Sequence, residues 1–315
     1  MRNGFYILCY HDVSENSLIP RNIKTSRKRF FSEINDLQKN YNFISLDDGI
    51  KKIKNGFKFN KKYCTICFDD GYLSVLETCH PFLSEKKIHH TIFLNTEPLQ
   101  NKNYWLDNVI LFNLEKKKGY DFLRNILKIP LNENNLSVFL RKNSSVRLRK
   151  KLISLKKKYL DDKKLHLDTQ DLKKFNTEFC SFGNHSDRHL FLSNLTKNEQ
   201  KKEIIITKKI LNNYDVSHDF FAIPFGEESS FNNDTLEIIK NEYSGVVIKA
   251  NGALNHRIIN NFVHIERIVM NDNKPEIKKY LRRRAADGVW VHVYRFIDKL
   301  SNITIRFFFR KKIIK

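Results

Sequence analysis

Tyr63-Cys64-Thr65-Ile66-Cys67-Phe68-Asp69-Asp70-Gly71-Tyr72 is a short uncharged run that ends in two acids and a glycine. Cys64, Ile66 and Phe68 alternate with Thr65 and Cys67, the pattern of a strand buried on both faces. Gly71 lets the backbone turn sharply at the end of that strand. The strand therefore lifts Asp69 and Asp70 out of a core and leaves them at its carboxyl end, where α/β folds bind ligands. Two adjacent carboxylates in such a place call for a cation.

A second constellation lies more than a hundred residues downstream. Phe179-Cys180-Ser181-Phe182-Gly183-Asn184-His185-Ser186-Asp187-Arg188-His189 is another uncharged run, here ending in Gly-Asn-His. His185 and His189 are four apart and face the same way if they share a helical turn. Two neutral imidazoles and one carboxylate make a three-ligand site for a divalent metal. The second carboxylate stands ready to take a proton from water.

Phe68-Asp69-Asp70-Gly71 and His185-Ser186-Asp187-Arg188-His189 resemble the first two motifs of the polysaccharide deacetylases, the NodB-like carbohydrate esterases. Phe221-Ala222-Ile223-Pro224-Phe225-Gly226 resembles a variant of their third motif, and Leu8-Cys9-Tyr10-His11-Asp12-Val13 their common first strand. Order and spacing agree over about residues 5–270. The resemblance implies a distorted (β/α) barrel, and a metal-dependent hydrolase that removes acetyl groups from an N-acetylated amino sugar of a surface polysaccharide or its lipid-linked precursor. It implies Asp70, His185 and His189 as ligands of a divalent metal, most often zinc, and Asp69 as general base. The backbone N–H of Phe225 is implied as an oxyanion donor, with Ser186 supporting the histidines.

Three departures bear on that reading. Ala222 stands where one form of the third motif has the arginine that orients the base, and Arg267 is a candidate substitute from another strand. The histidine that would protonate the leaving amine is either His264 or His292. His11 falls either beside the metal or in a structural hydrogen bond. These departures motivate a second reading, a catalytically impaired glycan-binding protein of the same fold.

The chain has 315 residues, 41% of them hydrophobic and 29% charged, as in a soluble globular protein. Its net charge of +22 comes from 57 Lys and Arg against 35 Asp and Glu. The lysines are scattered among Asn, Ile and Phe, so they read as solvated faces rather than a nucleic-acid footprint; an anionic membrane surface or glycan is the partner the charge otherwise suits. Five cysteines occupy positions 9, 64, 67, 79 and 180. Cys64-x-x-Cys67 sits in an apolar strand without a second such pair, so it reads as core thiols rather than a zinc or redox motif. Free thiols and the lack of an evident signal peptide lead to the expectation of a cytoplasmic protein, peripheral at the inner membrane face.

Along the chain, strands and helices alternate, which implies parallel strands and right-handed crossovers. Ser26 opens a helix to about Lys39, with Phe30, Phe31, Ile34 and Leu37 on one face. Phe43–Leu46 reads as a strand and Asp47 as the cap of the helix after it. Leu73–Lys86 reads as a helix, and Thr196 with Glu199 as a capping box. Residues 98–166 break the rhythm and read as a helical insertion. We therefore divide the chain into a catalytic domain, 1–275, and a basic, aromatic extension, 276–315, whose last residues mix Phe with Lys and Arg.

Overall fold

The computed structural model describes residues 2–15, 23–100, 164–214, 220–250, 254 and 256–284. Most of the expected insertion, His292 and the basic aromatic end of the chain lie outside them. The strands are β1 (Gly4–Tyr10), β2 (Asp12–Val13), β3 (Lys24–Thr25), β4 (Asn42–Phe43), β5 (Lys62–Phe68), β6 (His90–Leu94), β7 (Cys180–Asn184), β8 (Phe221–Ala222), β9 (Val246–Lys249), β10 (Arg257–Ile259), β11 (Phe262–Glu266) and β12 (Ile268–Val269). The helices are α1 (Arg27–Gln38), α2 (Leu46–Lys54), α3 (His80–Glu85), α4 (Thr96–Leu99), α5 (Lys197–Asn212), α6 (Asn233–Glu242) and α7 (Ile277–Arg284).

The fold is a distorted (β/α) barrel. Its main sheet runs β11, β9, β8, β7, β6, β5, β1, β12, with every neighbouring pair parallel. Only Arg267 separates β11, at one end of that order, from β12 at the other. One stretch of chain therefore pairs first with β9 and then with β1, and so closes the ring. Arg267 donates its backbone N–H to Lys249 and Met270 donates to Cys9, one bond on each side of the seam.

Strand periodicity divides the side chains into two sets. Phe5, Ile7, Cys67, Phe93, Ala222, Val246, Ile248, Val263 and Ile265 fill the barrel, and Leu46 and Ile50 of α2 join them. The alternate set, including Tyr6, Leu8, Tyr10, Cys64, Ile66 and Phe68, packs outward with Phe30, Ile34 and Leu37 of α1 and Ile277, Tyr280 and Leu281 of α7. Cys64 and Cys67 thus sit in different clusters, and both are free and buried. Gly183 faces the interior: a Cβ there would stand 2.4 Å from the Phe93 ring. That vacancy lets Phe93 fill the barrel.

Some local expectations need correction. The strand expected at 43–46 stops at Phe43, and Leu46 already begins α2. The N-cap is Ser45, whose hydroxyl accepts from the Asp48 N–H; Asp47 lies in the first turn. The helix expected from Leu73 is present and carries a π turn over Val75–Cys79 before α3. Pro81, near the start of α3, has no N–H for the preceding turn, and the His80 N–H reaches back to Val75 instead. The capping box of Thr196 and Glu199 is present.

Gly183→Ala pushes a methyl into Phe93 and is expected to cost about 1–3 kcal/mol. A clear fall in Tm should report it; an unchanged Tm would show that Phe93 has room to move.

Candidate active site

One step beyond the apolar filling, the same inward-facing positions carry chemistry. Ile7 is followed two residues on by Cys9, Cys67 by Asp69, Gly183 by His185 and Ile265 by Arg267. All four side chains are buried, and they lie at or just past the carboxyl ends of their strands.

Arg267 grips Asp69 with both terminal nitrogens, at 2.6 Å to Oδ1 and 2.8 Å to Oδ2. Its Nε donates to the Lys249 carbonyl at 3.2 Å, and its guanidinium lies 5.1 Å from the Phe93 ring centre. Cys9 adds a thiol contact to Asp69 Oδ2 at 3.3 Å. Burial alone would raise the Asp69 carboxyl. Arg267 overrides it, helped by His185 and His11, and holds Asp69 well below the usual carboxylate range. Ala222, where the family's other form has arginine, leaves only a methyl in the interior, and its carbonyl takes the His185 Nδ1–H at 2.8 Å.

Asp70 differs from its neighbour. Burial, reinforced by the Asp69 charge and opposed by His185, pushes it up to about 6. Its Oδ1 is buried and accepts no hydrogen bond. His189 Nε2 lies 3.5 Å from that oxygen and His185 Nε2 3.7 Å. His185 Nδ1 donates to the Ala222 carbonyl, which leaves Nε2 as the ring nitrogen turned toward the acids. Burial, and then His185, lowers His189 well below the usual histidine value, so it is neutral. One ligand atom from each of Asp70, His185 and His189 falls within 4.8 Å of the others. An orphaned carboxylate oxygen facing two imidazole nitrogens fits a divalent cation.

The two histidines converge without a helix. Their segment is a loop after β7, and Ser186 and His189 both take left-handed backbone angles, φ 69° and 52°. Asn184 Oδ1 accepts the Ser186 N–H and Ser186 Oγ accepts the His189 N–H. The Asn95 amide holds the carbonyls of His185 and Ser186. Asp70 and Phe225 are left-handed too, so half of the eight non-glycine residues with positive φ among those described lie in these site loops. Strain of this kind persists where surrounding contacts over-determine it, as at ligand sites.

Phe225 packs its ring on His189, centroids 4.5 Å apart, and on Phe191 at 5.6 Å. His11 lies with Cys9 and Asp69 in a second group of donor atoms. His264, one of the two acid candidates, alternates with the inward Val263 and Ile265 and so faces the other side of the sheet, near Lys249, Arg257 and Glu228. It is not part of the site. Sequence reasoning missed Cys9, Asn95, and His166, whose Nδ1 lies 3.1 Å from the Asp70 carbonyl. Cys9 had a signal, two residues past an inward strand position; His166 sits in an antiparallel bridge with Tyr72 that nothing in the sequence marks.

A family model described as Polysaccharide deacetylase matches residues 57–243. No curated protein matches the chain. Among solved structures, the deacetylase PplD of Streptococcus pyogenes, in complex with acetate, is similar at TM-score 0.59 and 16% identity, over 90% of this chain and 98% of that one. IcaB from Ammonifex degensii gives TM-score 0.61 at 15% identity, over 89% and 97%. A de-N-acetylase from Aggregatibacter actinomycetemcomitans gives 0.56 at 13%, over 88% and 99%. At these identities the likeness is one of fold.

Two predictions follow from the geometry. Asp70→Ala and His185→Ala each lose most bound metal by elemental analysis while Asp69→Ala keeps it; a metal-free Asp69→Ala would reverse the two acids. Below about pH 6 a proton competes for Asp70, so metal affinity of the apoprotein falls as pH drops through that value and is steady above it. A titration showing affinity flat from pH 5 to 8 would contradict this.

Proposed function

The chain belongs to the polysaccharide deacetylase family, and on that premise we propose that it is a metal-dependent hydrolase that removes acetyl groups from an N-acetylated amino sugar of a surface polysaccharide or its lipid-linked precursor. The observation that carries the reading is the pairing of a cation-ready triad with an ionised carboxylate beside it. Asp70, His185 and His189 hold the metal, for which zinc suits the donor set of two imidazoles and one carboxylate. When bound, the cation acidifies water and polarises the acetyl carbonyl.

The rest is the work of the chain. Asp69 accepts a proton from the attacking water. It is a weak base, because Arg267 stabilises its charge, and it therefore suits water already acidified. Arg267 also fixes which way the carboxylate faces. The backbone N–H of Phe225 donates to the oxygen that becomes negative as the carbonyl carbon turns tetrahedral. The C–N bond then breaks as the nitrogen takes up the proton that the water lost, giving acetate and a free amine.

Arg267 reaching Asp69 removes one motive for an inactive, glycan-binding protein, since the arginine missing from the third motif is supplied from the barrel seam. Neighbours of the same fold whose names include deacetylase and de-N-acetylase agree with the acetyl-removing reading. Five free, buried cysteines support our proposal of a cytoplasmic protein. Among the described residues no helix is long and apolar enough to cross a membrane.

Incubation with N-acetylated oligosaccharides and zinc or cobalt should release acetate, and a chelator should stop it. Asp69→Asn should lower kcat about 10²–10⁴-fold with metal still bound. Acetate release unchanged by Asp69→Asn, or none from a broad glycan panel with metal supplied, would sink the proposal.

A further inference from the structure

We propose that Cys9, His11 and Asp69 form a second metal site, for a thiophilic dication such as zinc, cobalt or cadmium, and that filling it takes Asp69 out of the reaction. One donor atom from each lies within 4.8 Å of the other two, and Cys9 Sγ stands 3.3 Å from Asp69 Oδ2. Donors around one tetrahedral ion with Zn–S near 2.3 Å and Zn–N near 2.0 Å stand roughly 3.3–3.8 Å apart, so the closure needed is small. Cys9 is fully buried and Asp69 nearly so. His11 Nδ1 is buried and has no hydrogen-bond partner. A thiolate and a carboxylate against the single Arg267 guanidinium leave one net negative charge for a dication to meet.

A third buried group, His80, His90 and Cys180, is also close enough to hold an ion. Its nitrogens are already committed. The Asn176 N–H donates to His80 Nε2 at 2.9 Å, so His80 carries its proton on Nδ1 and passes it toward His90 Nε2 at 3.3 Å. His90 Nδ1 in turn meets the Ile88 carbonyl. That tautomer puts a proton where a metal would bind. No such chain of donors occupies His11.

Binding breaks the Cys9 S–H bond, forms a sulfur–metal bond and releases the proton to solvent, with no change of oxidation state. The Cys9 thiol proton, held 3.3 Å from Asp69 Oδ2, must be displaced before an ion can enter, so this site fills after the Asp70–His185–His189 site. Asp69 cannot bind the ion and take a proton from water at once, so excess metal inhibits. This inhibition rests on the reading of Asp69 as base; the binding does not.

Cobalt titration of the apoprotein separates the two. The first site has no sulfur, so a thiolate-to-cobalt charge-transfer band in the near ultraviolet reports the second site alone. The band should appear with the second equivalent, vanish in Cys9→Ser, weaken in His11→Ala, and persist in Cys180→Ser and Asp70→Ala. Excess over one equivalent should slow acetate release at least tenfold in the wild type and leave the rate of Cys9→Ser unchanged relative to its own one-equivalent value. No band at any excess, or a band surviving Cys9→Ser, would overturn the site. A band without inhibition would overturn its inhibitory role and locate the error in the reading of Asp69.

Discussion

The bidentate pair between Arg267 and Asp69 is the constraint on which the site depends. Both groups are buried at the mouth of a barrel otherwise filled with apolar side chains. An ionised carboxylate there is costly alone, and removing one partner of such a pair typically costs about 3–5 kcal/mol. The pair also spans the closure of the ring. Arg267 belongs to the one stretch that bonds to β9 on one side and β1 on the other, and Asp69 follows β5, which pairs with β1. Closing the barrel and orienting Asp69 are thus one structural event. Phe93 and Gly183 belong to it as well. The glycine makes room for the ring, and the ring forms a shelf for the guanidinium.

The same pair separates two acids that the sequence sets side by side. Asp69 has a guanidinium and is held low; Asp70 has burial and a negative neighbour and is pushed up. Environments that drive two carboxyls apart assign them different chemical tasks. Here one carboxylate is already neutralised and keeps its orientation. The other turns an oxygen that accepts no hydrogen bond, Oδ1, toward the two imidazoles, a set that fits a cation. Four left-handed residues in the site loops pay for this convergence in backbone strain, and the Asn95, Asn184 and Ser186 hydrogen bonds hold it in place.

Much of this was legible because period-two patterning is written in residue types. The run ending in Asp69-Asp70-Gly71 announced a strand and its carboxyl end, and the family motifs supplied the partners. Arg267 could be named as the substitute arginine, since a gap at Ala222 asks for one. His185 and His189 converge without the helical turn that would have aligned them, because spacing does not distinguish a helix from a loop with two left-handed residues. His264 was plausible by position in the chain but sits at the wrong parity in β11. Cys9 was counted among the five cysteines and quoted in the first-strand motif, without a role of its own. Composition could not show that, two residues beyond Ile7, the same inward face reaches Asp69.

The most direct test is an anomalous-difference map, at the zinc edge, from crystals loaded with one equivalent of zinc. The account predicts one peak ligated by Asp70, His185 and His189, with Asp69 still clamped by Arg267 and off the metal. A peak on Asp69, with Arg267 displaced from it, would contradict the division of labour on which everything above rests.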